Sequence, residues 1–375
     1  MMWGLARATM RNDTPRHALA SCEWSRNDQV LMLTPPDIAA DTITAFLGEH
    51  YALRARQVTF LPIGADANAA VFRIEADDAI SYFLKLKRGD FDEIAVSIPA
   101  YLRAHGIPRV MAPLATATGQ LWTSGHGFTW ILYPYVEGDN GFRQPLSDAH
   151  WVALGQSLRA VHASALPLEL ASRVPREDYA PRWRDIVMTY GRRVEARIYD
   201  DAADPFARRL AAFWLTRQDE IHAMVERAEQ LGQMLRQRTG AADGFVLCHT
   251  DLHAGNVLLS ARDDLELAIV DWDAPIFALK ERDLMFIGGG IGAIWDTARE
   301  EALFYQGYGA TDIDPVALSY YRYERIVEDL AAYGEQIFEA RGSPEDREHG
   351  LEGTIGQFDP GCVVSIAHQT YERVR

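Results

Sequence analysis

From Cys248 to Asn256 the chain reads Cys-His-Thr-Asp-Leu-His-Ala-Gly-Asn, and fifteen residues after Asn256 comes Asp271-Trp272-Asp273. Transfer of a phosphoryl group to a hydroxyl needs such a set. One carboxylate must orient the attacking hydroxyl and accept its proton, while an amide oxygen and a second carboxylate hold the Mg2+ that neutralises a triphosphate. Asp251 fits the first role, and Asn256 with Asp271 fits the second. The step from Asp251 to Asn256 is the D-x-x-x-x-N of a phosphoryl-transfer loop. A bare HxD or DxD would more simply be a solvated loop tip or a helix cap. Here the two occur in order, each beside a strand, and it is the joint pattern that carries the chemistry. His249 suits a loop-holding imidazole rather than a proton carrier. Reading His249, Asp251 and His253 as ligands of a hydrolytic metal leaves Asn256 and the downstream acids unused, and no further histidine lies nearby. Asp273, two residues past Asp271, projects to the same face in extended chain, where it either assists the metal or holds the loop.

Composition narrows the alternatives. A chain of 375 residues, 48% of them hydrophobic, can build one large or two medium cores. A formal charge of −16 excludes a sequence-independent nucleic-acid binder, which needs clustered Lys and Arg, and favours cationic partners. No uninterrupted apolar run reaches the length of a membrane helix. Cys22, Cys248 and Cys362 are scattered without CxxC spacing, so neither a disulfide framework nor a zinc knuckle is indicated and a reducing cytoplasm is expected.

The elements that must carry these residues fall into an α+β arrangement. Residues 1–36 lack a clear period and read as an extension. Asp37 is placed to cap a helix through Ile43, Phe46 and Leu47. From Gln57 to Val136 short β-branched and aromatic runs alternate with turns, including Asp77-Asp78 and Gly64-Ala65-Asp66-Ala67-Asn68, which predicts a small antiparallel sheet, with a helix through Ile94, Ile98, Tyr101 and Leu102. Residues 37–136 form this small lobe. Residues 137–375 read as a larger, mainly helical lobe. Ser147 caps a helix with Trp151, Leu154, Leu158 and Val161 inside, and a long helix carries Leu210, Trp214, Ile221, Met224 and Leu231. Two short strands, around Phe245 and Ile269, are joined by the segment that holds Asp251 and Asn256. Gly288-Gly289-Gly290 follows a helical pattern, the wrong context for a dinucleotide loop, and reads as a helix end, with Glu281, Arg282 and Asp283 as structural pairs near the base.

The stretches YFLKLKRGDFDEI, VLCHTDLHAGNVLL, KERDLMFIGGG, YYRYERIVEDLAAYG and FDPGCVV together resemble the aminoglycoside phosphotransferase and choline kinase family, and within it the branch acting on spectinomycin, over roughly residues 37–364. The resemblance implies a bilobal protein-kinase-like fold, ATP and Mg2+ as cofactors, and a small, cationic, polyhydroxylated acceptor, with spectinomycin leading and antibiotic resistance as the consequence. Other hydroxyls (methylthioribose, choline, homoserine) and a nucleotide-holding protein without transfer are the alternatives. By the same resemblance Lys85, preferred to Lys87, reaches the phosphates, and Glu93, beside Asp92, is its acidic partner. Gly64 and Asn68 lie in the nucleotide-covering loop. The carbonyl of Pro134 and the N–H of Val136 would meet the adenine edge, with Tyr133 behind it. Ammonium groups favour carboxylates and aromatic faces, so the acceptor is expected against a helix bearing Tyr320, Tyr321, Glu324, Glu328 and Asp329.

Overall fold

The computed structural model describes residues 35–63, 68–200, 204–238, 244–261, 267–289 and 294–374. The expected extension therefore lies, apart from Pro35 and Pro36, outside the described residues, as do Gly64 to Ala67 of the first turn and Gly290.

Alternation of apolar residues builds the small lobe. After helix α1 (Ala40–Tyr51) come β1 (Ala55–Leu61), β2 (Ala69–Ala76), β3 (Ser81–Lys87), helix α2 (Ile94–Ala104), β4 (Thr123–Gly125) and β5 (Phe128–Pro134), in an antiparallel sheet of order β1-β2-β3-β5-β4. Ile74, Leu84, Leu86, Trp130 and Leu132 fill one face, covered by Ile43, Phe46 and Leu47 of α1, and Phe46 stacks on Trp130 at 4.0 Å. Because strand side chains alternate, burying Leu84 and Leu86 turns Lys85 and Lys87 to the opposite face. Helix α1 starts after Ala39 with no side-chain cap, so Asp37 does not play the expected role.

Helix α2 departs from a simple two-lobe split. Ile94, Ile98 and Leu102 belong to the core of the large lobe and not to that of the sheet, and the Tyr101 hydroxyl donates to the Ala165 carbonyl at 2.9 Å.

The large lobe runs through β6 (Gly138–Asn140), α3 (Asp148–His162), α4 (Leu168–Ala171), α5 (Arg182–Glu195), α6 (Pro205–Arg238), β7 (Phe245–Cys248), β8 (Val257–Ser260), β9 (Leu267–Ile269), β10 (Ile276–Leu279), α7 (Glu281–Leu284), α8 (Ala298–Tyr308), α9 (Pro315–Phe338), α10 (Pro344–Gly356) and α11 (Val363–Tyr371). Ser147 caps α3 in a reciprocal box with His150, as expected. Strand β8 lies inside the segment read as a plain connection. It pairs with β6 and β9, while β7 pairs with β10. Four residues of β8 are too few for period-two alternation to stand out. Gly288 and Gly289, at φ +79° and +90°, turn the chain after α7. Cys248 is a free, buried thiol, whereas Cys362 is disulfide-bonded, which the scattered cysteines do not indicate.

Candidate active site

The loop after β7 is fixed from behind. Asp283, wholly buried in α7, accepts the backbone N–H groups of His249 at 2.9 Å and Thr250 at 2.7 Å, and lies 3.0 Å from His162 Nε2, whose other ring nitrogen is 2.7 Å from the Tyr308 hydroxyl. Both ring nitrogens of His249 are used. Nδ1 accepts from the Asp251 N–H at 3.3 Å, which leaves Nε2–H to donate to the Val270 carbonyl at 2.8 Å. His249 therefore ties the Asp251 loop to the strand end that leads into Asp271. Thr250 and Asp271 sit at φ +80° and +63°, a region costly for side chains other than glycine, and such strain gathers at functional loops.

Asp251, Asn256 and Asp271 are joined through a short series of contacts. Asn256 Nδ2 donates to the Asp251 carbonyl at 2.8 Å, and the Val270 N–H donates to the Asn256 carbonyl at 3.0 Å. With its nitrogen committed to Asp251, the Asn256 side chain keeps an oxygen for other partners. Strand β9 is held in place by the preceding segment, since the Ile269 N–H donates to the Arg109 carbonyl at 2.7 Å and the Met111 N–H to the Ile269 carbonyl at 2.9 Å.

From the opposite lobe, Lys85 Nζ reaches Asp271 Oδ1 at 3.0 Å and Asp273 Oδ2 at 2.8 Å, and Lys87 Nζ reaches Asp273 Oδ2 at 3.2 Å. Burial alone would lower the Lys85 ammonium, but Asp271 and Asp273 hold it above its usual range. Asp273 is depressed despite its own burial, because Lys85 and Lys87 favour the carboxylate. Asp273, expected either to assist the metal or to hold the loop, contacts both lysines.

Glu93 is not the partner of Lys85. Its carboxylate meets Arg173 at 3.1 Å. The reason is the docking of α2, which buries its apolar face in the large lobe and carries Glu93 toward that lobe's surface. Asn68 stands at the turn into β2, its carbonyl accepting from the Arg88 N–H at 2.8 Å, while Gly64 lies outside the described residues. Pro134 closes β5 opposite Tyr82, and Val136 follows in the link to β6. Arg73 braces that link, with Nη2 2.6 Å from Glu137 Oε1 and its guanidinium 4.6 Å from the Tyr135 ring.

These oxygens and lysines suit a metal–triphosphate, since a hard cation takes carboxylate and amide oxygens and Lys85 offers a half-buried point charge. Comparison with known proteins gives the fold its family. The model of the phosphotransferase enzyme family matches residues 59–279, more than half of the chain. The chain belongs to this family.

Solved structures agree. Spectinomycin phosphotransferase APH(9)-Ia, in complex with ADP and spectinomycin, is 36% identical, with 90% of this chain and 100% of that one covered and a TM-score of 0.81. Its AMP-bound complex gives 35%, 88%, 98% and 0.77. An aminoglycoside phosphotransferase from Alicyclobacillus acidocaldarius, at 12% identity, covers 90% of this chain and 98% of that one at a TM-score of 0.56, a likeness of fold alone. No curated protein sequence matches significantly. This phosphotransferase is thus an ATP-dependent kinase with a small antiparallel-sheet lobe and a helical lobe.

Of the five residues expected to line the acceptor, three are internal. Tyr321 is fully buried in the core with the Arg282 guanidinium 5.6 Å from its ring, and Tyr320 is also internal. Glu324 is buried against Arg184, Nη1 to Oε2 at 2.5 Å. Helix α9 is buried along most of its length, from Val316 to Ile337, so its inner face takes residues that composition alone would place outside. Glu328 and Asp329 are half-exposed, paired with Arg282 at 3.3 Å and Arg325 at 3.1 Å. Burial raises Asp329 to about 6 even though Arg325 opposes it. Arg325, unnoticed in the sequence, also places Nη1 2.6 Å from Asp251 Oδ1. The available signal was an arginine set among the acids of one helix with an aspartate four residues on. Burial would raise Asp251, but Arg325 and then His253 hold it well below the ordinary carboxylate range.

Proposed function

We propose that this kinase transfers the γ-phosphoryl group of ATP to a hydroxyl of a small, cationic, polyhydroxylated molecule, spectinomycin first among them, and so confers antibiotic resistance from the cytoplasm, where ATP is available. The observation that carries the chemistry is the convergence of Lys85, Asp271 and Asp273 beside a loop in which Asn256 is bonded to Asp251. The acceptor rests on the 36% identity to a spectinomycin phosphotransferase over nine-tenths of the chain, and on the acids Glu328 and Asp329 near Asp251.

In this reading Asp251 orients the acceptor hydroxyl and takes its proton, and Lys85 binds the phosphate oxygens. Asn256 and Asp271 would hold Mg2+, which when bound neutralises charge on the triphosphate. Pro134 and Val136 would meet the adenine through backbone groups, and Asn68 belongs to the turn that covers the phosphates. The lobe boundary falls at residues 136 and 137.

Transfer of labelled phosphate from ATP to spectinomycin, measured beside streptomycin, kanamycin, methylthioribose, choline and homoserine, tests this. Preferential labelling of spectinomycin is expected. Labelling of another alcohol alone would reassign the acceptor, and nucleotide binding with no transfer to any would overturn the enzymatic reading.

A further inference from the structure

Asp251 carries three kinds of contact, and they differ in quality. Its backbone carbonyl is held by Asn256 at 2.8 Å, and Oδ1 is held by Arg325 at 2.6 Å. Among the described residues Oδ2 has only long approaches, from Asn256 Nδ2 at 3.4 Å and His253 Nε2 at 3.5 Å, at the limit of useful hydrogen bonding. Arg325 is itself anchored, because its Nε meets Asp329 Oδ1 at 3.1 Å one helical turn along α9. A guanidinium is planar and offers separate N–H groups to two carboxylates at once, which an ammonium on a flexible stem does not.

We propose that Arg325 is a positioning residue for phosphoryl transfer, engaging Oδ1 of Asp251 so that Oδ2 is the oxygen presented to the acceptor hydroxyl. This rests on the function proposed above. In the step it serves, the acceptor oxygen bonds to the γ-phosphorus as the bond from that phosphorus to the β,γ-bridging oxygen breaks. The bonding pair leaves with the nucleoside diphosphate, and the hydroxyl proton passes to Oδ2. Arg325 touches neither reactant. It removes the rotational freedom of the Asp251 carboxylate, and the rate is sensitive to that freedom because a misplacement of about 1 Å in a reacting group costs on the order of a hundredfold.

The test is steady-state kinetics on Arg325→Ala, Arg325→Gln and Arg325→Lys, with folding followed by thermal melting and nucleotide affinity by direct binding. The expected result is a fall in kcat of about a hundredfold for the Ala and Gln variants, with the KM for ATP within about threefold of wild type. The Lys variant should recover only in part, and added guanidinium should restore activity to the Ala variant but not to Asp251→Ala. A folded Gln or Ala variant with wild-type kcat overturns the proposal, as does a loss confined to the KM for ATP or an absence of guanidinium rescue. If the wild-type enzyme phosphorylates none of the acceptors, the acceptor assignment fails by itself. The slow hydrolysis of ATP, with water in place of the alcohol, then reads the Arg325 variants by the same criteria.

Discussion

Lys85 and Asp271 are 186 residues apart in the chain, and their side chains meet at 3.0 Å across the two lobes. The lysine expected to grip phosphate thus meets the carboxylate expected to hold the metal, with Asp273 as a third member. On the proposed function, removing Lys85 would lose a phosphate contact and leave Asp271 without this lysine. Lys85→Ala should lower kcat/KM for ATP by about 10²–10³-fold, and Lys87→Ala by less, because the Lys87 contact with Asp273, at 3.2 Å, is longer than those of Lys85. In the same assay Asp271→Asn should raise the Mg2+ concentration needed for half-maximal transfer. Equal losses for the two lysine variants would contradict the assignment.

Asp251→Asn keeps the size of the side chain and its contacts with Asn256 and Arg325 but removes the base. Turnover should fall by about 10²–10⁴-fold, while calorimetry should show nucleotide binding intact. Turnover near wild type would remove Asp251 from the role given to it.

A third expectation concerns pH. Burial raises the Glu324 carboxyl from 4.5 to about 7, against the opposing pull of Arg184. Across that window the folded chain keeps a proton that the unfolded chain has released, so this group's contribution to stability is lost as pH rises from about 4.5 to about 7. The shift corresponds to at most about 3 kcal/mol. Glu324→Gln should flatten that part of the profile, measured as the urea midpoint at several values between about pH 5 and pH 7. Parallel curves for the two proteins would refute the claim.

Helices α3 and α8 touch backbone to backbone. A Cβ added at Gly155 would collide with the carbonyl oxygen of Phe304, and one at Gly307 with that of Val152. Gly155→Ala should therefore destabilise by about 1–3 kcal/mol or more and lower the thermal midpoint, although alanine is the better helix former. An unchanged or higher midpoint would show that the two helices can separate without cost.

The grouping of the candidate site was legible because its residues are contiguous. Asp251 to Asn256 and Asp271 to Asp273 are short motifs, each set by a strand end, and the fold brings them together with Lys85. The sheet was legible for a similar reason, since its strands carry alternating runs, as where Leu84 and Leu86 are buried and Lys85 and Lys87 are half-buried. What stayed hidden depends on contacts between distant segments. Glu93 had the right charge and neighbourhood in sequence, but α2 buries its face in the other lobe and gives Glu93 to Arg173. Tyr321 and Glu324 looked like a surface for an ammonium ion, yet the packing of α9 among its neighbouring helices places them inside. Arg325 escaped notice because its local signal, an aspartate four residues on, reads as a pair along its own helix and not as a reach to Asp251.

Asp283 grips two successive N–H groups of the base-bearing loop from the interior, and His162 and Tyr308 tie that grip to α3 and α8. The outer acids Glu328 and Asp329 take no part in it. A replacement at an outward position such as Glu328 therefore leaves the backbone of the Asp251 loop tethered to the protein interior.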